Sequence, residues 1–163
     1  MKIFSVSRRF ALSLSVVFVA LLVCASDVRA GSWNGIEPFK SRRADVLRVL
    51  GTPINDPFGG PVTFKILGGT ASVSFVDQNF VRIKKLSPEL EGTVLQIILQ
   101  HENASDTPES MGLLKKSSFT HEEAKNVLIF RNLKEGIVYT FVDKKLKTTR
   151  YTFSDGQLSR AKH

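Results

Sequence analysis

The hydrophobic residues between positions 42 and 50 recur with the spacing of an α-helix. Arginines occupy positions between them, so one face of the helix would be apolar and the other charged. Ser41 is placed to cap the N-terminus, and Gly51 followed by Pro53 is placed to end the helix. The pattern predicts a short helix over residues 42–50 that packs on another element, because so short a segment is unstable alone in water. The apolar positions are Val46, Leu47, Val49 and Leu50.

Beyond this helix, apolar and polar residues alternate with a period of two, which is the pattern of strands that bury one face. Gly68-Gly69 and Asp77-Gln78-Asn79 predict turns between strands. The run 94–99 is apolar on both faces and is therefore predicted to lie in the centre of the sheet. The predicted strands are 61–66, 71–76, 80–84, 94–99, 127–131, 137–142 and 147–153.

Residues 101–119 show no period and predict a loop. Thr120-His121-Glu122-Glu123 has the spacing of a capping box, so we predict a helix of one to two turns near 121–126. The polar tail from Asp155 is expected to fray. Together the elements predict one α+β domain, an antiparallel sheet with a short N-terminal helix packed on it. The two halves share an order of helical start, strand, turn and strand, which leaves a degenerate two-half repeat open.

Residues 1–30 carry the features of a secretory signal peptide. A positive start precedes the uncharged apolar run 10–25, and Val28-Arg29-Ala30 resembles the site that a signal peptidase cleaves. The run is short for a membrane span, and an uncleaved anchor is the alternative. We predict cleavage after Ala30, export to the periplasm or the medium, and a mature domain over residues 31–163.

Cys24 is the only cysteine of the chain. A lipoprotein signal would carry lipid on such a cysteine, which would anchor the protein to the envelope. However, Val23 precedes it where Gly, Ala or Ser is usual, and this favours a cysteine that is discarded with the signal. Cleavage after Ala30 would leave no cysteine, so the mature fold would depend on its apolar core and not on disulfides.

Residues 1–30 contain four of the 23 basic residues and one of the 15 acidic residues. The mature chain would therefore have 19 basic and 14 acidic residues, a formal charge of +5. This moderate charge is compatible with an anionic lipid, an anionic polymer or an acidic protein as partner. Nucleic acid is not expected as a partner of an exported protein without a motif of stacking aromatic residues.

The candidate catalytic and metal-binding residues are few. Histidines adjoin carboxylates only at His101-Glu102 and His121-Glu122-Glu123, whereas zinc requires three or four convergent ligands. The chain lacks a GxSxG nucleophile motif, and Gly59-Gly60 and Gly68-Gly69 lack the spacing of phosphate-binding loops. We therefore predict no catalytic residue, no metal and no cofactor, and we expect a protein that is not an enzyme.

Basic residues near predicted strand ends are the strongest candidates for binding. Two interpretations are open: lysines on strand edges oppose aggregation, or they contact anionic lipid headgroups or cell-envelope polymer. The candidate anionic-surface contacts are Arg82, Lys84, Lys85, Lys144, Lys145 and Lys147.

Part of the chain resembles the small lipoprotein subunit of the outer-membrane β-barrel assembly machinery (SmpA/OmlA-like). The resemblance covers roughly residues 36–85 and implies a helical region on an antiparallel three-stranded sheet. It rests on Ile36, Ser41, Val46, Leu50-Gly51-Thr52-Pro53, Asp56-Pro57-Phe58-Gly59, Ser72-Val73-Ser74-Phe75 and Phe80-Val81-Arg82-Ile83.

A longer pattern is similar to a set of uncharacterised, small exported bacterial proteins. It runs from Trp33 to Gly51 and includes Glu135-Gly136-Ile137-Val138-Tyr139 in the second half. This resemblance covers nearly the whole mature chain and implies no particular activity. The sequence thus favours a non-enzymatic binding or assembly module of the envelope or periplasm with an unidentified partner. A secreted domain like an enzyme inhibitor and an anionic-surface binder are the alternatives.

Overall fold

The computed structural model describes residues 31–162, and an antiparallel sheet of seven strands forms their centre. Three short helices accompany the sheet, which confirms the predicted α+β class. The predicted signal peptide and Cys24 lie outside the described residues. The strands are β1 Val62–Ile66, β2 Gly69–Phe75, β3 Val94–His101, β4 Thr120–Ala124, β5 Val127–Asn132, β6 Ile137–Val142 and β7 Lys145–Thr152. The helices are α1 Arg43–Leu50, α2 Gln78–Lys84 and α3 Asp155–Ala161.

The strand order across the sheet is β1-β2-β3-β7-β6-β5-β4, with every neighbouring pair antiparallel. Strands β1, β2 and β3 form one meander, and β4 to β7 form a second. The two meanders meet where β3 pairs with β7. The two-half repeat stays an open alternative, since the first meander has three strands with α2 between β2 and β3, whereas the second has four strands with no helix between them.

One face of the sheet carries two clusters of buried side chains. The first includes Val46 of α1 together with Phe64 and Ile97 of the sheet. The second surrounds Phe130 and Phe141, whose rings meet edge to face with centroids 5.9 Å apart. Burial of each phenylalanine contributes about 2–3 kcal/mol.

The segment that was predicted as a loop supplies the cover of the second cluster. Leu113 is buried within this cluster, and Met111 and Phe119 pack against it. The apolar residues of this segment have no regular spacing, because they are placed to cover the core and not to form one face of a helix or strand.

Helix α1 begins one residue later than predicted, and the prediction of Ser41 as its N-cap is wrong. Arg42 is the N-cap residue, and its N–H donates to the carboxylate of Asp45 at 3.0 Å. The hydroxyl of Ser41 instead accepts from the N–H of Glu37 at 2.9 Å, which closes the turn before the helix. Gly51 ends the helix as predicted, with φ = 78° and ψ = −143°, a positive-φ conformation that favours glycine but is not the left-handed helical one.

The strand predicted over 80–84 is wrong, because this segment is helix α2. The side chain of Asp77 accepts from the N–H of Phe80 at 2.6 Å and caps the helix, and Lys85 ends it in the left-handed conformation. Strands β2 and β3 pair directly with each other, so a strand between them in sequence would find no place between them in the sheet.

The helix predicted near 121–126 is also wrong, because this segment forms strand β4 and the turn after it. Ala124 pairs with Val127 across the two-residue turn Lys125-Asn126, and β4 pairs with β5 along its length. Pairing with β5 therefore prevails over the local capping signal.

The tail does not fray as expected, since Ser154 caps helix α3. The Ser154 hydroxyl accepts from the N–H of Gln157 at 3.1 Å, and the Gln157 side chain accepts from the N–H of Ser154 at 2.9 Å. Gln157 also donates to the carbonyl of Pro38 at 3.1 Å, which ties the helix to the N-terminal segment.

The remaining predicted strands are confirmed, with ends that differ by no more than two residues. Strand β3 lies inside the sheet as predicted, but only one of its faces is buried. Within residues 31–162, no helix has the length and apolar character needed to cross a membrane.

Candidate interaction surfaces

The face of the sheet opposite the two core clusters is exposed or half-buried along its strands, and we call it the open face. The register places side chains of five neighbouring strands in rows, because directly opposed residues point to the same side. One row is Ser72, Ile98, Arg150, Val138 and Arg131, and the next is Thr70, Gln100, Thr148, Thr140 and Ile129. None of these ten side chains is buried.

The open face combines hydroxyl groups, aliphatic side chains and two arginines. At its β1 end the hydroxyls of Thr63 and Ser72 lie 3.2 Å apart and share a hydrogen bond. Towards β5 the aliphatic side chains Ile129 and Val138 contribute apolar area. The arrangement offers hydrogen-bonding groups and apolar contact on one surface that the paired backbone holds in place.

The arginines of the open face differ in their partners. A guanidinium nitrogen of Arg131 lies 2.7 Å from a carboxylate oxygen of Glu122, whereas Arg150 has no ion pair with any residue that the structure describes. Because a surface ion pair contributes only up to about 1 kcal/mol, the Arg131 pair matters mainly by neutralising charge. Arg150 therefore supplies the uncompensated positive charge near the middle of this face.

Three candidate basic residues belong to helix α2 and its C-terminus, not to a strand end as predicted. They are Arg82, Lys84 and Lys85, which with Lys162 we call the α2 cluster. Lys162 joins them because Leu86 forms a β-bridge with it. Ile83 is 68% exposed within the same segment, so an apolar side chain accompanies the charges.

The other three candidates are Lys144, Lys145 and Lys147 of the β6–β7 hairpin, which we call the hairpin cluster. Asp143 and Lys144 form its two-residue turn, with φ of 50° and 61°. Hydrogen bonds from its own backbone and from Thr107 lower the pKa of Glu109, and the charge of Lys144 acts in the same direction. An acidic side chain therefore accompanies this cluster.

The two basic clusters lie at opposite ends of the sheet. Strand β7 leads away from the hairpin cluster, and its last residue Thr152 pairs with Gln96 near the start of β3, the strand that follows α2. Eight residues of strand span about 26 Å. The six predicted contact residues therefore form two separate surfaces and not one patch.

The histidines occupy different environments. The ring nitrogen Nε2 of His101 lies 2.9 Å from the hydroxyl of Thr149, and burial lowers the pKa of His101 below its ordinary value of 6.5 while Asp106 opposes the shift. The adjacent Glu102 pairs with Lys65 at 2.7 Å. The ring of His121 lies 5.4 Å from that of Phe130. Residues 31–162 contain no group of three or more His, Cys, Asp or Glu side chains placed to hold a metal ion.

A pocket of about 770 Å³ lies between helix α2 and the turn at residues 88–91. Its polar lining includes Asp77, Arg82 and Glu91. Asp77 already caps α2, and Arg82 donates to the side chain of Asn79 at 2.6 Å. These two side chains therefore have structural hydrogen bonds within the pocket wall.

The sequence interpretation missed the open face and the contribution of Lys162. The alternation that marked the buried residues also marks their neighbours on the other side, so Thr70 and Ser72 follow from the same pattern. No pattern in the sequence indicates that Lys162 lies near α2, because only the β-bridge to Leu86 brings it there.

Comparison with family models, curated proteins and solved structures finds no match to this chain. The resemblance to the lipoprotein subunit of the barrel assembly machinery stays a prediction from the sequence.

Proposed function

We propose that the protein is a non-enzymatic binding or assembly module of the bacterial cell envelope, exported to the periplasm or the medium. The observation that carries the proposal is the open face, on which ten side chains from five strands remain accessible. The signal-like features of residues 1–30 and the partial resemblance to an envelope assembly subunit support the location.

The size of the open face suits a protein partner. Seven strands at about 4.8 Å spacing give a width of about 34 Å, and five to six residues give a length of about 17–20 Å. The resulting area of about 600–700 Å² approaches the roughly 800 Å² that each partner contributes to a standard interface. Because the paired interior strands already hold the backbone in place, binding would cost little backbone conformational entropy.

The composition of the open face predicts the chemistry of that partner. Thr140 and Thr148 offer hydroxyls, and Ile129 and Val138 offer apolar contact. Arg150 offers a charge that has no ion pair within residues 31–162. We therefore expect a polar protein surface with an acidic side chain that reaches Arg150, and such charge-assisted hydrogen bonds are stronger than neutral ones.

Site-specific crosslinking in the native host tests this proposal. A photoreactive residue at Thr140 of the open face should yield an adduct of discrete mass in the envelope or periplasmic fraction, and Arg150→Glu should reduce its yield. A photoreactive residue at the exposed Ser118 is the matched control. Equal adducts at both positions, or none at Thr140, would contradict the proposal.

Binding to an anionic surface through the α2 cluster is a second candidate function. It is favoured by Ile83, which is 68% exposed beside Lys84 and Lys85. The lysines would contact headgroups while the isoleucine enters the interface, and each basic residue near an anionic membrane contributes about 1 kcal/mol. The three lysines of the hairpin cluster have no exposed large apolar side chain beside them within residues 143–147.

Vesicle sedimentation distinguishes the two clusters because they lie at opposite ends of the sheet. Vesicles with anionic lipid should retain the protein at low salt and release it at high salt, since the attraction is screened. The double variant Lys84→Ala/Lys85→Ala should lose binding, and Lys144→Ala/Lys145→Ala is the matched control. Binding to purely zwitterionic vesicles, or equal loss in both variants, would contradict this candidate.

A further inference from the structure

The two edges of the sheet differ in whether the chain itself covers them. At the β1 edge, the N–H of Thr63 donates to Asn55 at 2.8 Å, and its carbonyl accepts from Ile54 at 2.8 Å. At the β4 edge, no strand, bridge or loop from residues 31–162 pairs with the outer side. All five residues of β4 are exposed.

The register determines which backbone groups of β4 point outward. Ala124 and Val127 flank a two-residue turn and form a hydrogen-bonded pair, so Glu122 and Thr120 also bond inward to β5. The outward N–H and C=O groups therefore belong to His121 and Glu123. The same rule applied to the β1–β2 hairpin selects Thr63, whose outward groups are the ones that bond to the 54–55 segment.

We propose that strand β4 pairs antiparallel with the β4 strand of a second copy of this chain, about a two-fold axis at Glu122. In this register His121 lies opposite the partner's Glu123, and the outward N–H and C=O groups of each meet the complementary groups of the other. The contact occurs twice, which gives four backbone hydrogen bonds across the axis.

Hydrogen-bond complementarity selects this register over its neighbours. An imidazole always retains an N–H donor, so His121 can donate to the partner's Glu123 on both sides of the axis, whereas a register centred on residue 121 or 123 would lose both of these contacts. The two Glu122 residues approach each other at the axis, but each already has an ion pair with Arg131 at 2.7 Å. Each ion pair reduces the repulsion between the two Glu122 carboxylates. Without such pairs, charged side chains on short edge strands repel each other and prevent association.

The pairing would extend the sheet through both copies and keep their open faces on the same side. This follows because the two-fold axis of an antiparallel pair is perpendicular to the sheet. The dimer would therefore present two identical binding surfaces in one plane, which would increase affinity for a partner with repeated sites. The inference on the edge strand does not depend on what the open face binds.

Sedimentation equilibrium of the protein as its host produces it tests the proposal. The edge contact is small, so association should be weak and dimer should accumulate with concentration between about 10 μM and 1 mM. His121→Glu should raise the dissociation constant about tenfold or more, because two attractive contacts become repulsive. A monomer at every concentration in wild-type protein would overturn the proposal.

A charge exchange separates the proposed pairing from a general effect on the strand. The double variant His121→Glu/Glu123→His restores the complementary pairs and should restore the wild-type dissociation constant. Glu123→Pro should abolish association, since it removes an outward N–H that β5 does not use. Equal thermal unfolding midpoints would verify that these exposed changes leave the fold intact. A dimer that persists in His121→Glu, or a double variant that stays monomeric, would overturn the assignment.

Discussion

Gly136 and Gly112 have almost the same positive φ angle but different surroundings, so alanine substitution separates two sources of destabilisation. Their φ angles are 65° and 63°. A Cβ at Gly136 would lie 2.1 Å from the carbonyl oxygen of Thr152, whereas a Cβ at Gly112 would have nothing within 4 Å. Thr152 cannot move freely, because its N–H donates to the carbonyl of Gly136 at 2.8 Å and it pairs with Gln96 in β3.

The magnitudes follow from these contacts. The positive φ should cost each alanine variant about 1–2 kcal/mol. At position 136, Thr152 or the turn must also move by about 1.3 Å to reach an ordinary contact of 3.4 Å, and such overpacking costs about 1–3 kcal/mol more. We therefore expect Gly136→Ala to lose about 2–5 kcal/mol of unfolding free energy and Gly112→Ala about 1–2 kcal/mol.

Urea unfolding followed by fluorescence measures this difference, because Trp33 is the only tryptophan and packs against the first core cluster. Comparison of the two midpoints at equal slope isolates the contact term from the conformational term. Equal destabilisation of Gly136→Ala and Gly112→Ala would refute the reasoning, since it would show that the turn moves away from Thr152 without cost.

Three further predictions concern a cap, the core and a histidine. Asp77→Ala should cost about 1 kcal/mol and speed hydrogen exchange in α2, whereas Asp77→Asn should retain most of the cap; equal effects would contradict the capping role. Phe141→Ala should cost about 3–5 kcal/mol, while Leu133→Ala, at a position 53% exposed, should cost under about 0.5 kcal/mol in the same urea assay. Burial lowers the pKa of His101, so the folded state resists its protonation; stability should be full above pH 6.5 and fall as the pH drops from there through the folded pKa. His101→Gln should remove that part of the pH dependence, and an unchanged profile would exclude His101 as its source.

Alternation of apolar and polar residues predicted the sheet well because burial on one face imposes it directly. It failed at Phe80-Val81-Arg82-Ile83-Lys84, where Ile83 is 68% exposed and the apolar residues do not mark a buried strand face. The competing signal was local, since Asp77 three residues before Phe80 is a helix cap. Local propensity alone could not decide between a helix and a strand for this segment, because the direct pairing of β2 with β3 is a property of the whole fold.

The capping box shows the same limit from the other direction. Thr120 and Glu123 have the spacing of a cap but lie in strand β4, while Ser154 and Gln157 have it and do cap helix α3. The spacing is equal in the two segments, and the difference is that β4 has the adjacent strand β5 with which to pair. A local motif therefore indicates a helix only where no neighbouring strand competes for the backbone.

The basic residues could be found from the sequence, but their division into two clusters could not. That division depends on the placement of β7 beside β3, which directs the hairpin cluster and α2 to opposite ends. The open face was available from the sequence in principle, since Thr70 and Ser72 alternate with buried residues. The exposure of the open face could not be predicted from the sequence, because it depends on which side of the sheet the 102–119 segment covers.

The junction between β3 and β7 also has a consequence for how the chain folds. All other neighbouring strands are consecutive in sequence, but β3 ends at His101 and β7 begins at Lys145, so 43 residues separate them. Closing such a loop costs about 3 kcal/mol of chain entropy, apart from a constant, before any contact across it forms. The two meanders should therefore assemble first, with their union as the slow step. Leu99→Ala, opposite Thr149 at this junction, should slow refolding in stopped-flow measurements, whereas Val62→Ala, in the outer strand β1, should mainly speed unfolding.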